Sequence, residues 1–281
     1  MREIESTIVT DHADRMTYSG YLDLGKILDA QHPLSGLKGE DGAHHDEMLF
    51  IIVHQTMELW LKQVIHELTA AIRFVQAGDL EPCFKILARV KHVQSVMLDQ
   101  WSVLATLTPS EYIQFRGVLG SASGFQSVQY RRVEFLLGNK DERMVGMHRH
   151  DPGAERVLRT TLEGPSIYDA FLRHLADRGL PVPEEVLTRD PTRAYESHPG
   201  VVDVFKTIYT HPEKHWDAYE MAEKLVDVEE QFGLWRYRHM RVVERIIGFK
   251  KGTGGSSGVA FLRQMIDHRF FPELVAVRTE I

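Results

Sequence analysis

Apolar residues recur at helical spacing along most of the chain. The stretch from Glu213 to Gly248 shows this best, since it puts its large apolar residues on one face at 3.6 residues per turn. Those residues are Leu225, Val228, Phe232, Trp235, Val242 and Ile246. The segment Glu47 to Gln76 is apolar around most of its circumference through its first half, so that half should be buried. No stretch of alternating apolar and polar residues longer than four fits a strand better than a helix. The pattern therefore predicts an all-α protein.

Turn and capping residues divide the rest of the chain into further helices. Pro82 suits the first turn of a helix, and Thr108-Pro109-Ser110-Glu111 has the sequence of a capping box. Other helices are predicted at 17–30, 125–137, 166–178, 201–210 and 259–267, and 271–281 is expected to be a tail. We expect a polar segment at 1–17 and a single large helical domain at 18–281, built on long core helices, in which 139–200 is a small peripheral excursion.

Composition and charge narrow the functional classes. With 43% hydrophobic and 26% charged residues, the chain has the composition of a soluble globular protein. A formal charge of −7 argues against a nucleic-acid partner, because neutralising phosphates requires a basic face. The sequence shows neither a signal-peptide core nor an apolar run long enough for a membrane span. The single Cys83 cannot form an internal disulfide, which favours a reducing cytoplasm and a buried, unreactive thiol.

A glycine-rich loop follows the last long helix. Lys250 and Lys251 precede the run Gly252 to Gly258, which contains Thr253 and should be conformationally permissive. The phosphate-loop spacing G-x-x-x-x-G-K-[ST] is absent, and Ser257 stands where G-x-G-x-x-G requires glycine. Because no strand pattern precedes the loop either, a nucleotide site is disfavoured. We instead expect its backbone and hydroxyl to approach a bound molecule.

Two histidines, His54 and His239, lie on separate apolar helices. A lone histidine in that setting is commonly a hydrogen-bonded core residue, but a pair raises the alternative of metal or cofactor ligation. No glutamate has a histidine three residues later, and H-E-x-x-H is absent, which argues against di-iron and zinc sites of the usual kind. His44-His45-Asp46-Glu47 fits a helix start, with acids in the first turn, better than a metal cluster.

Haem would suit this pair, because it needs one strong protein ligand and a shaped pocket on the other side of the iron. One histidine would be proximal and the other distal, or both would ligate iron in an electron carrier. Arg116, four residues after Tyr112, offers a clamp for a carboxylate, and Thr253 offers a hydroxyl for an ammonium or carboxylate group. An electron carrier has no need of such groups.

Four long segments closely resemble bacterial members of the tryptophan 2,3-dioxygenase family. They are FIIVHQTMELWLK at 50–62, QWSVLATLTPSEYIQFR at 100–116, SGFQSVQYR at 123–131 and LWRYRHMRVVERIIGFKKGTGGSSG at 234–258. The resemblance implies an all-helical homotetramer that uses ferrous haem b and O₂ to open the indole ring of L-tryptophan. The product would be N-formyl-L-kynurenine, in the first step of tryptophan breakdown by the kynurenine pathway.

The resemblance also implies roles for individual residues. His239 falls on the axial iron ligand, His54 on the catalytic distal histidine that accepts the indole N–H, and Arg116 on the residue that binds the substrate carboxylate. Beside these, Tyr112 and Thr253 would contact substrate, Phe50, Ile51, Ile52 and Val53 would line the indole pocket, and Trp101, Ser123, Gly124 and Tyr130 would contact haem. Met57 departs from the aromatic residue of several relatives.

An N-terminal helix carrying Tyr18, Tyr21 and Leu22 would, by the same resemblance, complete the pocket of an adjacent subunit. Three other functions stay open on the sequence. A related haem indoleamine dioxygenase of broader substrate range would share most of these residues. A non-catalytic haem sensor would keep the two histidines without needing Arg116 and Thr253, and a helical scaffold would need none of them.

Overall fold

The structure is a computed structural model that describes residues 5, 7–9, 11–38 and 42–281, with residues 37 and 38 described for their backbone only. The predicted polar segment at 1–17 therefore lies partly outside the described residues. The helices are α1 (Tyr18–Leu22), α2 (Leu24–Leu28), α3 (His45–Gln76), α4 (Glu81–Leu104), α5 (Pro109–Arg116), α6 (Val128–Leu137), α7 (Glu142–Gly146), α8 (Pro152–Glu163), α9 (Ile167–Asp177), α10 (Glu184–Leu187), α11 (Pro199–Thr210), α12 (Trp216–Ile247), α13 (Val259–Gln264) and α14 (Pro272–Glu280). Short 3₁₀ turns occupy Ser35–Lys38, Gly117–Leu119 and Gly124–Gln126. Among the described residues none forms a β-strand, and the predicted all-α class is confirmed.

The core is built around α4, which packs along both α3 and α12. Leu68 of α3, Leu87 and Val90 of α4, and Leu225 and Val228 of α12 are all inaccessible to solvent. Burying a side chain of this size stabilises the fold by about 1.5–3 kcal/mol. The two longest helices are thereby fixed relative to each other through the one that lies between them.

Two predicted helices differ from the structure, and each difference has a local cause. One helix is divided, and the other begins later than predicted. The helix expected from Thr17 to Ala30 divides at Asp23, whose φ of 50° lies in the left-handed region. The helix expected from Phe125 begins three residues later, at Val128, because the extended backbone of Ser127 caps it by accepting the Tyr130 N–H.

Within the 139–200 excursion, α9 packs against α3 and puts Tyr168 and Phe171 into the main core. The fully buried Glu273 of α14 accepts hydrogen bonds from the hydroxyls of Tyr168 (2.9 Å) and Tyr195 (2.7 Å) and from the His198 N–H (2.7 Å). This carboxylate therefore ties the C-terminal helix to the excursion, and leaving its partners unsatisfied would cost about 1–3 kcal/mol for each group.

A second buried carboxylate, Glu229 of α12, accepts the backbone N–H groups of Phe270 (2.8 Å) and Phe271 (3.1 Å). Near the N-terminus, buried Glu47 of α3 accepts the N–H groups of Leu34 (2.8 Å) and Ser35 (2.9 Å) in the same way. Residues 34 and 35 are thus held by a carboxylate of α3, and residues 270 and 271 by a carboxylate of α12.

No helix in the described part of the chain combines the length and apolarity that crossing a membrane requires.

The thiol of Cys83 should be chemically inert in the native protein. It is fully buried between α4 and α3, where its Sγ donates to the carbonyl of Ala71 at 3.5 Å, and burial raises its pKa to about 11. At pH 8 only about one thiol in a thousand is then ionised, and only the thiolate reacts. Ellman's reagent should show no fast-reacting thiol in the folded protein and one thiol in denaturant. Rapid reaction without denaturant would contradict this placement.

Candidate active site

His54 and His239 face one cavity of about 280 Å³. His54 comes from α3 and His239 from α12, so the two long core helices set their separation. The other predicted site residues on its wall are Phe50, Trp101, Tyr112, Arg116, Ser123, Gly124, Tyr130 and Thr253. Thus α3, α4, α5, α6, α12 and the glycine loop all contribute to one site.

The imidazole of His239 has no hydrogen-bond partner among the described residues. It stacks on the indole of Trp101, with ring centroids 4.6 Å apart and planes 13° apart, and contacts Trp235 at 5.5 Å. Burial lowers the pKa of His239 to about 4, with a smaller contribution from the nearby His54. The ring is therefore neutral at physiological pH and keeps an unused nitrogen lone pair.

His54 is oriented by its own helix. Its Nδ1 lies 2.7 Å from the carbonyl oxygen of Phe50, and because a carbonyl can only accept, Nδ1 carries the proton of the neutral ring. Burial lowers the pKa of His54, and this exceeds the opposing effects of the Phe50 carbonyl and of Glu58. The remaining nitrogen, Nε2, is thus an acceptor.

A cationic group enters the cavity wall from α5. Tyr112 contacts the ring of Phe50 at 5.9 Å, and its hydroxyl is a hydrogen-bond partner of Arg116. Burial raises the pKa of Tyr112, an effect that the Arg116 charge partly opposes. One guanidinium nitrogen of Arg116 donates to the Lys251 carbonyl at 2.7 Å, so the arginine also contacts the glycine loop.

The glycine loop packs closely against residues 121–126. The Thr253 hydroxyl donates to the carbonyl of Ala122 at 2.5 Å. A Cβ on Gly254 would lie 2.7 Å from the Cβ of Ser123, and one on Gly258 would lie 2.6 Å from the Lys250 carbonyl oxygen. Gly258 also has a φ of +64°, which other residues rarely adopt. The glycines are therefore required for the approach that places Thr253 at the cavity.

A larger cavity, of about 860 Å³, lies between the C-terminal end of α3, α9 and the segment around α10. Arg173, Arg178 and Arg189 are on its wall, and each guanidinium there already contacts protein groups. None of the predicted site residues lines it. Its size therefore does not make it the centre of the chemistry that the two histidines predict.

Six predicted site residues do not reach the cavity of this chain. Ile51, Ile52 and Val53 point elsewhere because successive helical residues are rotated by about 100°, which leaves only Phe50 and His54 of that run on the cavity face. Tyr18 and Tyr21 are each 76% exposed and Leu22 37% exposed, away from this site.

The cavity wall also contains residues that were not predicted. Glu58 and Leu61 continue the face of α3 that carries Phe50, His54 and Met57, so their i+3 and i+4 spacing could have indicated them. A buried cluster of Arg131, Glu134 and Arg236 was also missed. Its members come from α6 and α12, and no local pattern joins positions about a hundred residues apart.

The fold and the site define an all-helical protein in which one cavity carries two neutral histidines, an arginine and a glycine-rich loop. The family model for tryptophan 2,3-dioxygenase matches residues 5–161 and 203–281. The chain belongs to the tryptophan 2,3-dioxygenase family.

Individual relatives agree along the whole chain. A tryptophan 2,3-dioxygenase of Serratia proteamaculans is 57% identical over 280 residues, covering 100% of this chain and 98% of the relative. That of Myxococcus xanthus is 59% identical over 280 residues, covering 100% and 94%. That of Geobacillus thermodenitrificans is 50% identical over 279 residues, covering 99% and 97%.

The close packing of the glycine loop can be tested with Gly254→Ala. The added methyl group would collide with Ser123, and overpacking of this kind costs about 1–3 kcal/mol, here confined to the loop. Amide hydrogen exchange should quicken at Gly252 and Gly255, whose N–H groups donate to loop carbonyls, while the melting temperature changes little. Gly117→Ala, where a Cβ meets nothing within 4 Å, is the control. Unchanged exchange in Gly254→Ala would refute the contact.

Proposed function

We propose that this protein is a haem-dependent dioxygenase that inserts O₂ across the indole C2–C3 bond of L-tryptophan to give N-formyl-L-kynurenine. Family membership and relatives named tryptophan 2,3-dioxygenase support the reaction. One structural observation carries the proposal: a neutral His239, without a hydrogen-bond partner in the part of the chain that the structure describes, shares a cavity with His54, whose Nε2 is an acceptor.

The residues around His239 fit haem b, with iron in the ferrous state for the reaction. A neutral imidazole with a free lone pair is a ligand that haem iron would take, and the described residues contain no cluster of three or more His, Cys, Asp or Glu side chains that could hold a metal by themselves. Leu104, Val242 and Ile246 provide apolar walls. His239 would hold the iron, and Trp101, Tyr130, Ser123 and Gly124 would contact the macrocycle. The bound cofactor supplies the oxygen chemistry.

The substrate's charged groups would bind where α5 meets the glycine loop. Arg116 can offer a carboxylate two parallel N–H donors, and Tyr112 sits beside it. In the structure Arg116 donates to Lys251 and Thr253 donates to Ala122, so both groups already satisfy backbone carbonyls. Substrate binding would exchange these contacts for the carboxylate and ammonium of L-tryptophan.

His54 would orient the indole by accepting its N–H. The lowered pKa of His54 makes its ring a weak base, whereas the Nδ1–H bond to Phe50 fixes Nε2 as an acceptor. Phe50 contacts this ring at a tilt of 36°, with centroids 4.2 Å apart, and offers an apolar surface to the indole. L-Tryptophan would thus be held at its indole by His54 and at its carboxylate by Arg116. Fixing the substrate at both ends lowers the entropic part of the activation barrier.

A homotetramer in which α1 completes a neighbouring site also belongs to this proposal. Tyr18, Tyr21 and Leu28, which are 76%, 76% and 71% exposed, leave an apolar face on α1 and α2 without cover in this chain. Exposed apolar patches of this kind mark interaction surfaces. The single cysteine supports a reducing cytoplasm as the location.

The function is tested with purified protein loaded with haem and reduced without oxygen. Adding L-tryptophan should shift the Soret band, and admitting O₂ should then produce the absorbance of N-formylkynurenine. His239→Ala should lose the haem or the activity. A folded protein that retains no haem once the unbound haem has been removed would reject the proposal in favour of a scaffold. Haem binding without product would favour a sensor.

Arg116→Lys should not preserve the recognition of L-tryptophan, because lysine keeps the charge but loses the fork. We expect kcat/KM for L-tryptophan to fall by a factor that corresponds to about 2–4 kcal/mol. Tryptamine, which lacks the carboxylate, should be affected far less. Arg173→Lys is a matched control, since Arg173 also donates to a carbonyl at 2.7 Å but lies outside the site. Equal losses for both substrates would contradict a carboxylate clamp.

His54→Ala should retain part of the turnover, because an orienting hydrogen bond contributes only about 1–2 kcal/mol. Single-turnover kinetics, with substrate affinity measured separately, should show a reduction of roughly tenfold. His66→Ala, at an exposed position later on α3, is the control. Complete loss of chemistry while L-tryptophan still binds would instead favour His54 as the base that removes the indole proton.

A further inference from the structure

Arg131, Glu134 and Arg236 form a buried triad at the cavity wall. The three residues are 7%, 1% and 5% exposed. One carboxylate oxygen of Glu134 lies 2.5 Å from Nη1 of Arg131, and the other lies 3.3 Å from Nη2 of Arg236. Two guanidinium groups therefore share one carboxylate, and the triad carries one excess positive charge.

No carboxylate in the described part of the chain other than Glu134 forms an ion pair with either arginine. Tyr130 is a hydrogen-bond partner of Arg236, but burial raises the pKa of its hydroxyl to about 12, so it stays neutral. Glu229 and Asp141 act on Arg236 and Arg131 only from beyond ion-pair distance, because Glu229 accepts the N–H groups of Phe270 and Phe271 and Asp141 pairs with Arg143. A buried charge with only such distant compensation is unfavourable, so the site favours a bound anion.

Unused donors point to the same requirement. Among the described residues, the buried Nε–H groups of Arg131 and Arg236 find no acceptor, and neither do the indole N–H groups of Trp101 and Trp235. All four residues are on the wall of this cavity. Buried donors rarely stay unsatisfied in folded proteins, and this set would be satisfied by a ligand that carries carboxylates.

We propose that the Arg131–Glu134–Arg236 triad binds a carboxylate of the cofactor, an inference that rests on the proposed function. A carboxylate could come from the porphyrin or from the amino-acid substrate, and position favours the porphyrin. Arg236 directly follows Trp235, which contacts His239 at 5.5 Å, so the triad belongs to the iron-ligand side. Arg116 is joined to His54 through Tyr112 and Phe50, with ring centroids 5.9 Å and 4.2 Å apart, and serves the substrate.

Glu134 has a positioning role in this assignment. It holds both guanidinium groups and accepts from Asn139 at 3.2 Å, while Arg236 is also fixed by donation to the His268 carbonyl at 3.2 Å and by the rings of Phe232 and Phe270 at 4.8 and 4.7 Å. Restraint from several directions fixes the arginines before the ligand arrives, which lowers the entropic cost of binding.

The test compares iron protoporphyrin IX with its dimethyl ester, which has the same ring and iron but no carboxylate charge. Each is loaded into the full-length apoprotein, and its transfer to excess apomyoglobin is followed by absorbance. Wild-type protein should release the ester roughly 10–100 times faster than haem, as expected for loss of a charge-assisted hydrogen bond. Arg236→Gln should release haem faster by a similar factor and release the ester at nearly the wild-type rate.

Arg132→Gln is the matched control, because Arg132 adjoins the triad in sequence but donates to Thr161 outside the cavity. The proposal is overturned if wild-type protein holds the ester as tightly as haem, a comparison that requires no variant. It is also overturned if Arg236→Gln, or Arg131→Gln should the first not fold, releases both porphyrins faster by the same factor, since that marks a purely structural triad.

A separate measurement tests the alternative that the triad binds the carboxylate of the substrate and not that of the porphyrin. With haem bound, the ratio of the dissociation constants for L-tryptophan and tryptamine should be the same in Arg236→Gln and wild-type protein. A ratio that collapses in the variant would overturn the assignment by showing that the triad binds the amino acid. Failure of the wild-type protein to take up haem at all rejects the proposed function together with this inference, whereas haem uptake with an indifferent triad rejects the inference alone.

Discussion

The imidazole of His239 lines the cavity and has no hydrogen-bond partner among the described residues, and the rest of the site depends on that arrangement. Burial favours the neutral ring, since an imidazolium would lose its hydration without gaining a counter-charge. Stacking on Trp101 fixes the plane of the ring without using a nitrogen. A hydrogen bond in place of that contact would orient the ring equally well but would occupy a lone pair. Apolar contact therefore leaves the residue both oriented and available to a ligand.

The helical core makes this arrangement rigid. His239 is on α12 and His54 on α3, and both helices pack against α4 between them. Buried Glu229 holds the segment at Phe270 and Phe271 against α12, while Glu47 holds the loop that precedes α3. Because these carboxylates satisfy backbone N–H groups that would otherwise be buried unpaired, the segments beside the long helices have little freedom to move. The relative position of His54 and His239 is therefore set by the packing of the whole fold and not by local contacts alone.

The sequence predicted the fold well where helical periodicity was long, and less well where a single residue controlled the backbone. The long helices are where their apolar faces placed them, and Thr108 with Glu111 forms the expected capping box. The break at Asp23 was missed because nothing in that amphipathic pattern signals a left-handed residue. His54 and His239 could be singled out because a polar residue on an apolar face is conspicuous. The Arg131, Glu134 and Arg236 triad could not, since charged residues on α6 and α12 look like ordinary surface positions until tertiary packing buries them.

The two ends of the cavity differ in how completely the protein satisfies its own polar groups. Near α6 and α12, buried N–H groups of Arg131, Arg236, Trp101 and Trp235 have no acceptor in the described part of the chain, so a ligand there adds hydrogen bonds without breaking any. Near the glycine loop, Arg116 and Thr253 already donate to backbone carbonyls, so a ligand there must replace existing contacts. The net gain in free energy per hydrogen bond is therefore larger at the first end. Such an asymmetry suits a permanently held cofactor at one end and a substrate that must bind and leave at the other.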